Sequence, residues 1–190
     1  MFKPTRGDSP VMTRTVWIKA DDTVGDWETR KQRITTAIEA GVDWVLVDEG
    51  DIDRVRELGA INVAAFRSDA DMVDAAEPAD DAAADAYFVG KDGEGDGTVD
   101  LPADFAGSAD LSTLRRGNGG PQGAYVRIFD ENYEAFAEAV AEDADYTAVI
   151  GEDWTIIPLE NLIARIGEET DLLAGVTTAK EAQTAFETLE

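Results

Sequence analysis

A lysine lies inside an otherwise apolar stretch near the start of the chain. The stretch Thr15–Asp22 reads TVWIKADD, and if it forms a β-strand, alternation places Trp17, Lys19 and Asp21 on one face. Lysine is rarely buried without a partner or a task. A desolvated lysine has a lowered pKa, which suits a general base or a Schiff base. We therefore predict that Lys19, with Asp21 beside it, serves proton transfer or imine chemistry.

An arginine occupies a similar position in a later stretch. The segment AYVRIF places Arg127 on one face with Tyr125 and Phe129. An arginine can hold a carboxylate through two parallel hydrogen bonds, so we predict that Arg127 binds a carboxylate. The alternative for both Lys19 and Arg127 is a structural ion pair inside the fold, with Glu152 as a partner.

Polar residues also follow most of the other apolar stretches. Catalytic groups gather at the carboxyl ends of the strands in parallel barrels. A solvated loop charge or a helix N-cap is the competing interpretation for each of them. It is strongest for Asp48, Glu49 and Asp153, because acidic residues favour helix starts. Besides Lys19 and Arg127, the predicted strand ends carry Asp21, Asp22, Asp48, Glu49, Arg67, Glu152, Asp153, Thr177 and Thr178.

The chain has two glycine-rich stretches, and neither predicts a cofactor loop. Gly90–Leu101 follows a strand, but its spacing is not G-x-G-x-x-G and its four acidic residues would repel a phosphate. We expect a flexible or hairpin loop there. Gly117–Gly123 precedes a strand, so it lies at the edge of the sheet opposite the carboxyl ends of the strands. We expect a structural turn there. The helix start at Thr177 and Thr178 is the better prediction for an anion site, since helix N-termini after the seventh strand often hold phosphate in barrels.

Apolar stretches of strand length alternate with segments of helical spacing. This alternation predicts a parallel sheet with right-handed crossovers, either open and doubly wound or closed as a barrel. The barrel fits better, because the units are compact and polar residues gather at the strand ends. We predict strands at 15–20, 44–47, 61–66, 87–89, 124–129, 146–150 and 171–176, and helices at 26–40, 52–58, 71–77, 111–116, 132–143, 159–166 and from 178.

The number of units predicts an α/β fold that is an incomplete (β/α)8 TIM-type barrel. Only about seven strand–helix units fit into the sequence, and its 190 residues fall short of the roughly 250 typical of this fold. We expect that the eighth strand and a C-terminal region are absent. We interpret residues 1–11 as a flexible N-terminal extension and residues 12–190 as one truncated barrel domain.

Composition argues against several classes of function. The formal net charge of −25, from 41 acidic and 16 basic residues, argues against partners such as nucleic acid or an anionic membrane. It is typical of the acidic shell of halophilic proteins. The sequence has no cysteine and no histidine, which excludes disulfides, imidazole catalysis and the commonest metal ligands, so we predict no metal site. No apolar run approaches the roughly 18 residues of a membrane helix, and no secretory signal begins the chain, so we expect a cytoplasmic protein.

Two segments resemble a known family. TVWIKADDTVGDWETRKQRITTAIEAGVDWVLVDEG, with its flanking residues, and EDWTIIPLENLIA resemble the N-terminal half of the archaeal type II 3-dehydroquinate synthases in their haloarchaeal form. The likeness extends from Met12 to Glu190. Members of this family carry a further C-terminal region, which agrees with the predicted truncation.

The resemblance implies an NAD-dependent enzyme of the shikimate pathway to aromatic amino acids. Its members oxidatively deaminate 2-amino-3,7-dideoxy-D-threo-hept-6-ulosonate, a small-molecule substrate. The resulting diketone closes by an intramolecular aldol reaction to 3-dehydroquinate. Our hypotheses for this reaction are proton transfer or imine chemistry by Lys19 and Asp21, enolisation by Glu152, substrate binding by Arg127 and Arg67, and contact with the NAD pyrophosphate by Thr177 and Thr178.

Two other functions stay open at this point. A Schiff-base aldolase on the same barrel would use Lys19 without NAD. A non-catalytic partial barrel would instead associate through its exposed first and last strands, forming a homo-oligomer.

Overall fold

The computed structural model describes residues 15–67, 84–91, 109–117, 120–128, 130–151, 159–166, 169–176, 180, 181 and 183. Within these residues, strands and helices alternate in the predicted order. The predicted helix at 71–77 and most of the glycine-rich stretch 90–101 lie outside the described residues.

Seven strands and five helices have defined bounds in this part of the chain. The strands are β1 Trp17–Lys19, β2 Trp44–Asp48, β3 Asn62–Phe66, β4 Ala86–Val89, β5 Gln122–Ile128, β6 Tyr146–Gly151 and β7 Asp171–Gly175. The helices are α1 Trp27–Glu39, α2 Ile52–Leu58, α3 Ala109–Arg116, α4 Glu131–Ala141 and α5 Leu159–Ile166, and short 3-10 turns lie at Asp22–Val24 and Glu49–Asp51. None of these helices combines the length and apolar character needed to cross a membrane.

The strands form one sheet in the order β1-β2-β3-β4-β5-β6-β7, and every neighbouring pair is parallel. An open doubly wound sheet would reverse its order at a switch point. The sequential order therefore rules out that alternative for the described sheet.

The sheet curls until its early and late strands meet. The ring centroids of Trp17 on β1 and Tyr146 on β6 are 5.3 Å apart, and the ring of Trp44 on β2 lies 5.6 Å from that of Tyr146. In a flat sheet, five strand spacings would separate β1 from β6 by about 24 Å. The α/β architecture is therefore a strongly curved parallel sheet, consistent with the predicted incomplete barrel.

Alternation along each strand separates an inner face from an outer face. Lys19 projects to the inner face with Trp17, as predicted, whereas Ile18 packs into the outer apolar cluster. The five helices cover that outer face. The inner face is filled by Trp17, Trp44, Leu46, Ala64, Phe66, Ala86, Phe88, Tyr125, Tyr146, Ala148, Ile150 and Leu173.

Helix α1 supports the beginning of the sheet. Asp26 caps it, because the Asp26 carboxylate accepts a hydrogen bond from the Thr29 backbone N–H at 2.9 Å. Ile34 is fully buried against the outer face. Arg30, on the same helix, is buried and places Nη1 2.5 Å from Asp51 Oδ2. This ion pair joins α1 to the start of α2, next to the carboxyl end of β2.

Strand β5 begins inside the stretch predicted to be a turn. Gln122 pairs with Tyr87 of β4, and Gly123 continues the strand. A Cβ atom on Gly123 would lie 2.5 Å from the Phe88 ring. Glycine at this position therefore makes room for an inward aromatic ring. In the sequence, a glycine that serves packing looks the same as a glycine that serves a turn.

Candidate functional site

Two lysines and a threonine meet at Asp21, directly after β1. Asp21 is fully buried. Its Oδ1 accepts hydrogen bonds from Lys19 Nζ at 2.8 Å and from Thr23 Oγ1 at 2.7 Å. Its Oδ2 lies 3.6 Å from Lys91 Nζ and accepts no hydrogen bond from a described residue. Because a buried carboxylate without nearby cations is strongly unfavourable, Asp21 depends on these neighbours.

Lys19 points into the inside of the curled sheet. Its Nζ also donates to Thr23 Oγ1 at 2.7 Å and lies 5.5 Å from the centroid of the Tyr125 ring on β5. The Lys19 side chain is 27% exposed, so solvent can reach it. Lys19 therefore has a carboxylate partner, Asp21. Glu152, the partner predicted from the sequence, lies outside the described residues.

Lys91 joins the site from the end of β4, where sequence reasoning predicts only a loop. Its Nζ donates to Asp22 Oδ1 at 2.6 Å and also to Asp48 Oδ1. The ammonium lies 5.9 Å from the centroid of the Phe66 ring, and the side chain is only 13% exposed. Lys91 thus connects the carboxyl ends of β1, β2 and β4.

Gly90 brings Lys91 into this position. Its φ of +95° lies in the left-handed region, and a Cβ atom there would be 2.4 Å from the carbonyl oxygen of Tyr125. Only glycine lets the backbone at the end of β4 pass so close to β5. The sequence signal for Lys91 was its position two residues after Val89, at a strand end. The glycines around it favoured the interpretation as a loop.

The Asp48 carboxylate is part of the site. One of its oxygens accepts from Lys91, and Oδ2 accepts from the Asp22 backbone N–H at 2.8 Å. Arg30 Nη1 lies 4.0 Å from the same Oδ2. Asp48 lies at the N-cap position of the 3-10 turn Glu49–Asp51, as acidic residues at helix starts do, but its side chain makes no capping hydrogen bond to that turn. Two cations and a neighbouring backbone N–H compete successfully for its carboxylate.

We call Lys19, Asp21, Asp22, Asp48 and Lys91 the mouth cluster. The hydrogen bond from Lys91 lowers the pKa of Asp22. Burial disfavours the charged form of Lys91, but its hydrogen bonds to Asp22 and Asp48 outweigh burial and raise its pKa well above the ordinary 10.5. Lys91 is therefore a permanent positive charge at neutral pH and cannot act as a base there.

We expect the stability that Lys91 contributes to vanish at both extremes of pH. Since the Lys91 pKa is raised by folding, its contribution is complete below 10.5 and is lost as the pH rises beyond that value. Since the Asp22 pKa is lowered, its contribution is complete above 3.8 and is lost as the pH falls further. Urea unfolding of the wild type and Lys91→Met should give a difference in free energy that is constant between about pH 5 and pH 9.5 and shrinks outside that range. A difference that changes through neutral pH would contradict this assignment.

Arg127 lies on the same inner face as Tyr125, two residues further along β5. Within the described part of the chain it has no hydrogen bond or ion pair. This is unusual in a chain with 41 acidic residues, and it leaves the guanidinium available to an anion. The other described arginines all contact protein oxygens: Arg30, Arg33, Arg54, Arg56, Arg67, Arg115, Arg116 and Arg165.

Arg67 is not brought to the mouth cluster. It follows β3 on the outer side, where its guanidinium lies 4.0 Å from the centroid of the Tyr87 ring and Nε lies 3.9 Å from Glu49 Oε1. Tyr87 belongs to the outer apolar cluster. Nothing in this placement supports the predicted role of Arg67 in substrate binding. Thr177 and Thr178, predicted as an anion site, lie outside the described residues.

The arrangement is suited to carbonyl chemistry. Lys19, Thr23 and Asp21 form a closed triangle of hydrogen bonds that can move a proton. Lys91 adds a fixed positive charge beside them, and Arg127 offers an anion-binding fork on the same inner face. Positive groups in a partly desolvated site stabilise a developing oxyanion.

Comparison with known proteins finds matches over nearly the whole of this chain. A family model described as the 3-dehydroquinate synthase II N-terminal domain matches residues 13–190. The 3-dehydroquinate synthases of Haloarcula marismortui and Natronomonas pharaonis are 73% and 72% identical over 179 residues, covering 94% of this chain and 46% of each relative. That of Methanosarcina mazei is 48% identical over 180 residues, covering 93% of this chain and 44% of the relative.

This chain spans about half the length of the curated relatives it matches. The family match covers nearly the whole chain and includes every member of the mouth cluster. The chain therefore belongs to the 3-dehydroquinate synthase II family, whose N-terminal domain it matches.

Proposed function

We propose that this chain carries the carbonyl-handling site of a 3-dehydroquinate synthase. The complete reaction is the NAD-dependent oxidative deamination of 2-amino-3,7-dideoxy-D-threo-hept-6-ulosonate, followed by intramolecular aldol closure to 3-dehydroquinate. The observation that carries the proposal is the Lys19–Asp21 pair on the inner face of the sheet, with the uncommitted Arg127 on the same face. The names of the relatives support the product.

The proposed architecture is an incomplete (β/α)8 TIM-type barrel with its active site at the carboxyl ends of the strands. Support comes from the sequential strand order and from the curvature that brings Trp17 of β1 against Tyr146 of β6. The mouth cluster lies where β1, β2 and β4 end, as active sites of barrels do.

Arg127 is proposed to hold the carboxylate of the substrate. That carboxylate is attached to the carbon that loses its amino group and becomes a ketone. Two parallel hydrogen bonds from a guanidinium would fix both the position and the plane of the carboxylate. The adjacent carbonyl would then face the inner side of the sheet, where Lys19 and Tyr125 lie.

Lys19 is proposed to supply the proton for ring closure. A base, for which Glu152 is our candidate, removes a proton from the methyl group beside the second ketone. The resulting enolate carbon forms a bond to the carbonyl carbon next to the carboxylate, and that carbonyl oxygen becomes an alkoxide. The Lys19 ammonium donates a proton to the alkoxide and regains one through Thr23 or from solvent.

The mouth cluster does not fit the pyrophosphate of NAD. Its three carboxylates would repel phosphate oxygens, and both of its lysines are already engaged by those carboxylates. NAD, which would accept hydride in the deamination, therefore requires residues elsewhere. Thr177 and Thr178 are our candidates, because a helix N-terminus offers free backbone N–H groups to a phosphate.

Arg127→Ala and Lys19→Ala are expected to affect different kinetic constants in the protein at the full length of its relatives. Loss of Arg127 removes ground-state binding and should raise the KM for the amino-sugar acid about 10-fold or more. Loss of Lys19 removes a proton donor and should lower kcat about 100-fold. Formation of 3-dehydroquinate is measured at varied substrate and saturating NAD.

Matched controls are Arg116→Ala and Lys31→Ala, which remove the same charges from exposed helix positions. Neither control should change KM or kcat by more than about 2-fold. An unchanged KM in Arg127→Ala together with an unchanged kcat in Lys19→Ala would sink the proposal. Borohydride trapping of substrate on Lys19, with turnover that needs no NAD, would instead support the Schiff-base aldolase.

A further inference from the structure

Lys91 lies where a cation is needed among three carboxylates. Oxygens of Asp21, Asp22 and Asp48 approach within 4.8 Å of one another, a spacing that would suit a metal ion. The Lys91 ammonium hydrogen-bonds to Asp22 and Asp48 and lies 3.6 Å from Asp21 Oδ2. An ammonium has three N–H donors, so it can serve three carboxylates at once.

We propose that the Lys91 ammonium is a built-in cation that holds the carboxyl ends of β1, β2 and β4 together, in the way that a divalent ion does in other acidic sites. This inference rests on the geometry of the described residues and is independent of the proposed reaction. It makes Lys91 a positioning residue. Its charge lies 3.6 Å from Asp21 Oδ2 and balances that oxygen electrostatically, while Oδ1 accepts hydrogen bonds from Lys19 and Thr23.

Burial makes the contribution of this cation large. The side chains of Asp21, Lys91 and Asp48 are 0%, 13% and 24% exposed, whereas Asp22 is 67% exposed and forms the rim. Charges so shielded from water interact strongly and are poorly screened by salt. Removing the ammonium would leave Asp21 and Asp48 with an excess of negative charge, and nearby Arg30 contacts only the far oxygen of Asp48.

Chemical rescue provides the test. Lys91→Ala removes three carbons and the ammonium, which propylammonium supplies in the same size and charge. The variant should melt on the order of 5 °C below the wild type. Millimolar propylammonium should restore at least half of that loss, because a ligand that binds only the folded state raises its melting temperature. Propan-1-ol, of similar size but neutral, should restore none.

All samples are compared at equal ionic strength set with sodium chloride, because any salt will stabilise a chain of net charge −25. Lys31→Ala, an exposed lysine on α1, controls for the change in net charge. Magnesium chloride is a second probe and should raise the melting temperature of Lys91→Ala but not that of the wild type.

Three outcomes would overturn the inference. The first is a Lys91→Ala variant that melts within about 1 °C of Lys31→Ala. The second is equal restoration by propan-1-ol and propylammonium. The third is a Lys91→Arg variant that, although it keeps the charge, melts no closer to the wild type than the alanine variant does. The Lys91→Arg variant also tests the inference if Lys91→Ala does not fold. An arginine variant that fails to fold as well counts against the inference.

Discussion

Asp21→Asn is expected to lower the free energy of unfolding by about 3 kcal/mol, as removal of one partner from a buried ion pair does. The asparagine amide can still accept a hydrogen bond from Lys19 or Thr23. Its NH2 group, however, would replace the oxygen that now lies 3.6 Å from the Lys91 ammonium. A donor would then face a cation in a fully buried position. Urea unfolding monitored by tryptophan fluorescence measures the loss.

Asp22→Asn is the matched control for this prediction. The two residues are adjacent, both pair with Lys91, and the substitution is the same. The Asp22 side chain is 67% exposed, so its pairing is screened by water and its replacement should lower the free energy of unfolding by less than about 1 kcal/mol. Equal losses in the two variants would show that burial of Asp21 does not strengthen its interactions.

The strand–helix pattern was predictable because it depends on local sequence. The apolar run of β2 indicates a strand that is buried on both faces. The spacing of Ile34 and Ala37 on α1 indicates a helix that is buried on one face. Neither signal depends on where the element lies in the fold. The placement of Lys19 was predictable for the same reason. Alternation along an apolar strand indicates which face carries the charged side chain. The structure agrees, with Lys19 on the inner face beside Asp21.

The pairing of Lys91 with Asp48 and Asp22 was not predictable from local sequence, because it depends on contacts between strands. Lys91 meets Asp22 across 69 positions of sequence and Asp48 across 43. Asp48 alone reads as a helix start, and Lys91 alone reads as one residue of a glycine-rich loop. Only the parallel register of β1, β2, β3 and β4 makes them neighbours.

Arg67 shows a case in which a strand-end position does not bring a charged side chain to the mouth cluster. The last residue of β3, Phe66, faces inward, so the next residue faces outward by alternation. The guanidinium stacks on the Tyr87 ring and pairs weakly with Glu49. A shift of one residue in the strand end therefore decides whether a charged group enters the mouth or supports the outer face.

Gly90→Ala is expected to lower the free energy of unfolding by about 3 kcal/mol or more, from left-handed strain combined with overpacking. The φ of +95° alone disfavours a side chain. In addition, the new Cβ would lie 2.4 Å from the carbonyl oxygen of Tyr125, a backbone atom of β5 that cannot rotate away. Relief requires that the chain after β4 move outward, which withdraws Lys91 from Asp22 and Asp48.

Gly41→Ala separates these two effects. Gly41 also has a positive φ, of +77°, but a Cβ atom there meets nothing within 4 Å. Its loss should be about 1 kcal/mol, from the backbone conformation alone. The Gly90 variant should further lose the pH dependence that Lys91 confers above pH 10, because its ammonium no longer reaches the carboxylates. If both glycine variants lose the same stability and both keep that pH dependence, the close passage of β4 against β5 is not what positions Lys91.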